Sequence, residues 1–245
     1  MKKLILLGFT LTLAIVLAAC GDDNAEGDNS NEQATEQEQG SSSEEGQQQQ
    51  QQKVEVTDEE KVAADKAVAS VNGEEIKGDR YNPTYSQLKI TMGQYGQDVS
   101  DQEKLKEQAI TVLVEQHLIR EDAKSKGIEV SDKEVQSEFD TLKEQNGDQL
   151  TAAMEQFQLN EEQFKTMLKD DLITTKYIDS QLDIKVTDKE IEEYYNQIKE
   201  QNQEIGELKD LEEQIKAQVE QQKTNEQLQA KVDELKKDAE VETLI

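Results

Sequence analysis

The sequence predicts a mainly α-helical fold with a small β-hairpin, completed by a long C-terminal helix and a short final strand. Three observations carry this. From Leu105 to Ala239 apolar residues recur at helical spacing. One helix start is written twice, as "GIEVSDKEVQSEFDTLKEQN" at 127–146 and "DIKVTDKEIEEYYNQIKEQN" at 183–202, offset by 56 positions (186 − 130). Earlier, "AVASVNGEEIKG" alternates around Asn72-Gly73, a strong short-range hairpin signal.

After the hairpin, Asn82-Pro83 reads as an N-cap followed by proline at the first helical position, opening a helix that runs to about Gly93 or Gly96. "DQEKLKEQAITVLVEQHLIREDAKSKG" is a long amphipathic helix with Leu105, Ala109, Val112, Leu113, Ile119 and Ala123 in phase, and Gly127 suited to its C-cap. The repeated start explains itself locally. Ser131 and Thr187 act as N-caps, and Glu134 and Glu190 reach back to close capping boxes. Val130 with Val135, and Val186 with Ile191, form hydrophobic staples, while Asp132 and Asp188 place negative charge at the positive end of the helix dipole. Between the two copies, a short helix carries Leu150, Met154 and Phe157, and Asn160 caps a further helix with Phe164, Met167, Leu168, Ile173 and Ile178. The segment from Leu208 to Ala239 reads as one long helix, or as a helix with a weak middle at "EQQKTNEQ". "VETLI" is β-prone and could pair with the hairpin near Val71.

The N-terminal region has a different character. "MKK" and a sixteen-residue apolar run resemble a signal peptide, too short for a membrane span of ~20 residues. Leu17-Ala18-Ala19-Cys20 resembles the bacterial lipobox, in which the cysteine is diacylated; Cys20 is the chain's one cysteine, so disulfide chemistry is not expected. Residues 21–53 contain no Val, Ile, Leu, Met or aromatic side chain and predict a disordered tether reaching ~30 Å. Asp22, Asn24, Glu26 and Gly27 loosely mimic a calcium loop, but Gln33 stands at its twelfth position and no helix precedes it. Four segments result: a leader at 1–19, an acidic Gln/Glu/Ser-rich tether at 20–60, a helical domain at 61–206, and a helix and strand at 207–245 packing on that domain.

The 27 basic residues less Lys2 and Lys3 leave 25, against 55 acidic ones, a net charge of −30. That argues against nucleic acid as a partner, because such binding is mainly phosphate neutralisation. His117, the chain's one histidine, reads as a packed or exposed helix side chain. No Ser/His/Asp arrangement, metal-ligand spacing or phosphate loop stands out, so no catalytic residue, metal or cofactor is expected.

"AVASVNGEEI" resembles the strand that opens the SurA-type chaperone domain, "LVEQHLIREDAKSKGIEVSDKEV" is similar to that family's central helix pair, and "KVTDKEIEEYYNQ" to the segment that closes its N-terminal lobe. The resemblance covers roughly 66–200 with the last helix and strand. It implies a helical lobe, shared with PrsA-type lipoprotein foldases, that cradles unfolded or nascent secreted polypeptides without ATP. In that family the second capped start leads towards a parvulin-type prolyl isomerase domain. In this sequence "NQIKEQNQEIGE" runs directly into the final helix and leaves no room for one. The expected function is an extracytoplasmic, membrane-anchored chaperone with no enzymatic activity. The alternatives are a prolyl isomerase and an assembly lipoprotein using residues 208–239 as a coiled coil. Met92, Tyr95, Met154, Phe157, Phe164, Met167, Tyr194 and Tyr195 are the candidate client-binding residues, since Met and aromatic side chains adapt to varied partners. Clients and oligomeric state stay open.

Overall fold

The computed structural model describes residues 54–202 and 205–245. The leader, Cys20 and tether residues 21–53 lie outside the described residues. Packing begins before residue 61: Val56 is buried, and a 3-10 turn at Asp58–Glu60 brings Glu60 into the interior.

Strand β1 (Ala67–Val71) turns back into β2 (Glu74–Lys77) through Asn72 and Gly73, whose φ values of 53° and 83° are those a tight hairpin turn demands. Both β1 neighbours are antiparallel. One is β2, with Val71 opposite Glu74; the other is β3 (Val241–Thr243), with Val71 opposite Val241 and Ala69 opposite Thr243. The sheet order β2-β1-β3 therefore joins the start of the described chain to its end. Asn72 reinforces that closure, its N–H donating to the Glu240 carbonyl and its Oδ1 accepting from the Glu240 N–H.

Helix α1 (Gly78–Gln94) starts about one turn earlier than Asn82-Pro83 suggested. Asn82 is not its cap. Its side chain accepts from the Val62 N–H at 2.9 Å and donates to the Val62 carbonyl at 2.8 Å, fastening the segment before β1 onto the helix. Pro83 sits in the second turn, where it forfeits one backbone bond, the one its N–H would have given the Asp79 carbonyl.

Helix α2 (Gln102–Ser125) ends at Gly127, whose φ of 73° suits a glycine terminator. Helices α3 (Asp132–Asn146), α4 (Asp148–Gln156), α5 (Glu161–Gln181), α6 (Asp188–Gln201) and α7 (Leu208–Asp238) follow, and α7 is continuous through its Gln-rich middle. Capping boxes close at Ser131, Asn160 and Thr187.

The two copies of the repeated start also do the same thing in space. In α3, Glu134 accepts from Lys176 of α5 at 2.7 Å, and that lysine also donates to the Glu129 carbonyl five residues upstream. In α6, Glu190 accepts from Lys223 of α7 at 2.6 Å, and that lysine also reaches the Lys185 carbonyl, again five residues upstream. One turn further on, Phe139 and Tyr195 are buried with lysines, Lys143 and Lys199, against their rings. The motif is a lysine socket with an aromatic beneath it, used once for each helix pair.

Three apolar clusters hold the lobe together. The first lies between the sheet, α1 and α2 and includes Tyr81, Tyr85 and Leu113; the second joins the end of α2 to α3, α5 and α7; the third joins α6 to α7 through Ile191, Tyr195, Ile215 and Val219. Helix α7 contributes to all three, through Leu235, Val232 and Val219 respectively.

Candidate functional site

The eight apolar residues expected to meet clients divide into three groups: packed on a cluster, exposed, and half-buried outside the clusters. Met92 packs on the first cluster, and Tyr194 packs on the third, to which Tyr195 itself belongs; the Tyr195 hydroxyl donates to the Gly206 carbonyl at 2.9 Å. Tyr95, the residue that ends α1, is 55% exposed. Met154, Phe157, Phe164 and Met167 form the third group, on α4, the residue that ends it, and the first two turns of α5. All four are half-buried, and none belongs to the three clusters.

Helix α4 is the unusual element. It buries none of its residues although Leu150 and Met154 lie on it. A helix of this length is marginal in water without an apolar face packed against something. Beside it Phe164 meets Phe139 at 5.8 Å between ring centroids, tilted by 60°, and Lys165 lies 4.9 Å above the Phe139 ring. Half-buried methionine and phenylalanine side chains thus lie outside the clusters on α4 and the start of α5, with Lys143 and Lys165 against the nearby Phe139 ring. Such side chains can meet extended polypeptide of varied sequence, because they ask for apolar area and not for a fixed pattern of donors.

A polar cavity of about 280 Å³ opens on another part of the lobe, between β2, α1, α2 and α5. The chain's one histidine and both its arginines line it. Arg80 and Arg120 both pair with Asp170 of α5, and a second nitrogen of Arg120 donates to His117 Nδ1 at 2.8 Å. His117 is only 3% exposed, and its Nε2 makes no hydrogen bond. That nitrogen stands 3.8 Å from a Glu74 oxygen and 3.6 Å from a Glu121 oxygen. Burial holds the imidazole below its ordinary pKa, as does the Arg120 charge, against the opposing pull of Glu121 and Glu74. The ring is therefore neutral at physiological pH.

Sequence spacing showed no metal-ligand set, yet the fold brings Glu74, His117 and Glu121 together with one ligand atom each inside 4.8 Å. The only local signal was the i, i+4 pair His117 and Glu121. Glu74 lies in another element, so its arrival depended on how the hairpin docks on α2.

With this geometry in view, comparison with known proteins places the chain. The family model described as the SurA-like N-terminal domain matches residues 53–178. The chain belongs to the SurA-like N-terminal domain family. Its matched span runs from the segment before the 3-10 turn into α5, so that α6, α7 and β3 lie beyond it. The chain is 32% identical over 152 residues to a protein named foldase protein PrsA from Caldanaerobacter subterraneus subsp. tengcongensis, covering 58% of this chain and 45% of that protein. It is 30% identical over 156 residues to the foldase PrsA of Clostridium kluyveri, covering 54% of this chain and 46% of that protein. With a Geobacillus foldase PrsA it shares 39% identity over 82 residues, 34% of this chain and 28% of that one. The chain thus spans about half the length, or less, of the curated relatives it matches. Within this SurA-like domain, residues Met154 to Met167 of α4 and α5, and the β1–β2 hairpin with its α2 partner, fall inside the matched residues.

Proposed function

We propose that this SurA-like protein is an extracytoplasmic, ATP-independent chaperone that binds unfolded secreted polypeptides while held to the cell membrane by lipid on Cys20. The observation that carries the reading is that Met154, Phe157, Phe164 and Met167 are half-buried and outside the apolar clusters, on a domain of a chaperone family. The foldase names of the relatives support it. In this reading the protein acts by binding and not by isomerisation, which the short interval between the end of α6 at Gln201 and the start of α7 at Leu208 supports. Peptide is captured by apolar contact on α4 and α5, and the acidic chain raises its encounter rate with basic clients.

Residues 21–245 should slow the aggregation of an unfolded model protein with no nucleotide present, and high salt should weaken protection of basic clients more than of neutral ones. Replacing Met154, Phe157 and Met167 together with Ser should remove the protection while circular dichroism stays that of the folded protein. Aggregation at the same rate with and without folded protein, across several clients, would sink the chaperone reading. Proline-isomerisation turnover above background would overturn the non-enzymatic part. For the anchor, Cys20→Ala should abolish labelling by a metabolic fatty acid and release the protein from membranes; a variant still labelled refutes lipidation at Cys20.

A further inference from the structure

We propose that Glu74, His117 and Glu121 form a binding site for a first-row divalent cation, with zinc the best fit. The site is built by two elements: Glu74 opens β2 immediately after the hairpin turn, while His117 and Glu121 stand one turn apart on α2. Its central observation is a buried imidazole nitrogen. His117 is 97% out of water, and its Nε2 faces two carboxylate oxygens at 3.6 and 3.8 Å without a hydrogen bond to either.

Those spacings are too long for a hydrogen bond, which needs about 2.7–3.2 Å. They come close to what a shared metal asks for. Ligand atoms about 2.0–2.1 Å from a tetrahedral zinc lie roughly 3.4 Å from one another. Nε2 therefore needs to close on each carboxylate oxygen by only a few tenths of an ångström, while the two carboxylate oxygens, within 4.8 Å of each other, draw together by movement of the exposed Glu74 side chain. The donors choose the metal class. Calcium and magnesium favour all-oxygen shells, whereas one imidazole with two carboxylates suits zinc and its first-row neighbours, leaving a fourth position for water. Two carboxylates beside a neutral ring also supply the charge that neutralises a dication.

The surroundings orient the ligands. Asn72 Nδ2 donates to Glu121 Oε2 at 2.9 Å, so the hairpin turn itself holds that carboxylate in place. Arg120 must yield. It donates to Nδ1, which leaves the ring proton on Nε2. When the ion takes Nε2, that proton transfers to Nδ1 and the Arg120 donor withdraws. Asp170, already 3.5 Å from its other nitrogen, is at hand to receive it. An ion at this site would pin the hairpin, and through Asn72 the closing strand β3, to the central helix.

Because the chain has one histidine, nuclear magnetic resonance of the full-length protein in detergent, ¹⁵N-labelled at histidine and free of any histidine tag, reads this ring alone. Zinc should remove the proton correlation from Nε2 and create one at Nδ1, saturating at one ion per ring; an equal concentration of calcium should do neither. Glu74→Gln and Glu121→Gln should each weaken zinc binding at the ring by about tenfold or more. Glu74 is exposed, so its variant should melt with the wild type in the absence of metal and keep the comparison sound if Glu121→Gln does not. A ring that keeps its Nε2 proton while zinc is bound elsewhere on the acidic chain would overturn the proposal. So would Glu74→Gln titrating like the wild type.

Discussion

Glu60 is almost wholly removed from water, yet it stays charged because its oxygens are fully engaged. It accepts from Lys89 at 2.7 and 2.8 Å, from the Tyr85 hydroxyl at 2.7 Å and from the Thr57 N–H at 2.9 Å. Burial alone would push its pKa up; the Lys89, Thr57 and Tyr85 bonds outweigh this and bring it down from 4.5 to about 2. A carboxyl depressed in the folded state stabilises the fold above its unfolded pKa and loses that contribution as pH falls through its folded one. Stability should thus decline between about pH 4.5 and pH 2, and Glu60→Gln should flatten that part of the acid-unfolding curve. The same variant should cost about 3 kcal/mol at neutral pH, because it leaves Lys89 buried beside a neutral group. Equal urea midpoints for variant and wild type at pH 7 would contradict this. The sequence hid the pair, since its partners lie 29 positions apart. "TDEE" at 57–60 is nonetheless a capping-box pattern of the kind read at Ser131 and Thr187, and it stood unread at the border of an acidic tract. His117 was harder still: its own helix showed one carboxylate in reach, and the other came from the hairpin.

At the scale of elements, sequence legibility followed locality. The hairpin, the capping boxes at Ser131 and Thr187, the Asn160 cap and the Gly127 terminator are decided by residues within a few positions of one another, and each appears where its residues indicate. Asn82-Pro83 misled for the opposite reason: its asparagine satisfies Val62, twenty residues back, and a local pattern could not show that. The repeated start was legible as a cap but not as a socket, because Lys176 and Lys223 arrive from other helices. Ser131→Ala and Thr187→Ala should each lower stability by about 1 kcal/mol, since each cap's backbone N–H donor loses its hydroxyl acceptor. The pair of changes should add, as the two caps share no partner. Chemical denaturation of the single and double variants measures both points; strong non-additivity would mean that the two helix pairs are coupled more tightly than their separate sockets imply.

For the whole molecule, α7 is the organising element. It places Leu235 on the first cluster, Val232 in the second and Ile215 with Val219 in the third, and Lys236 bonds Glu115 of α2 at 2.7 Å. A chain ending after Gly206 would leave β1 with an unpaired edge and three apolar surfaces uncovered. Such a truncation should lose cooperative thermal unfolding; a sharp transition at the wild-type temperature would make α7 an independent appendage. Pairing of "VETLI" with the strand near Val71 was legible from β-propensity alone, whereas the passage of α7 through every cluster was not. Its apolar residues are sparse and give no sign of which neighbour each will meet.

The sheet that joins the two ends also sets a schedule. Asn72 and Glu240 are 168 residues apart, so the bonds that seat β3 cannot form until Glu240 has left the ribosome. Closing so long a loop costs about 2.5 kcal/mol more entropy than closing one of ten residues. The interval therefore works as a timer: strand β1 waits with an open edge while the intervening helices pair locally and fast. Until that strand is made, the hairpin keeps one edge open to any other strand that meets it.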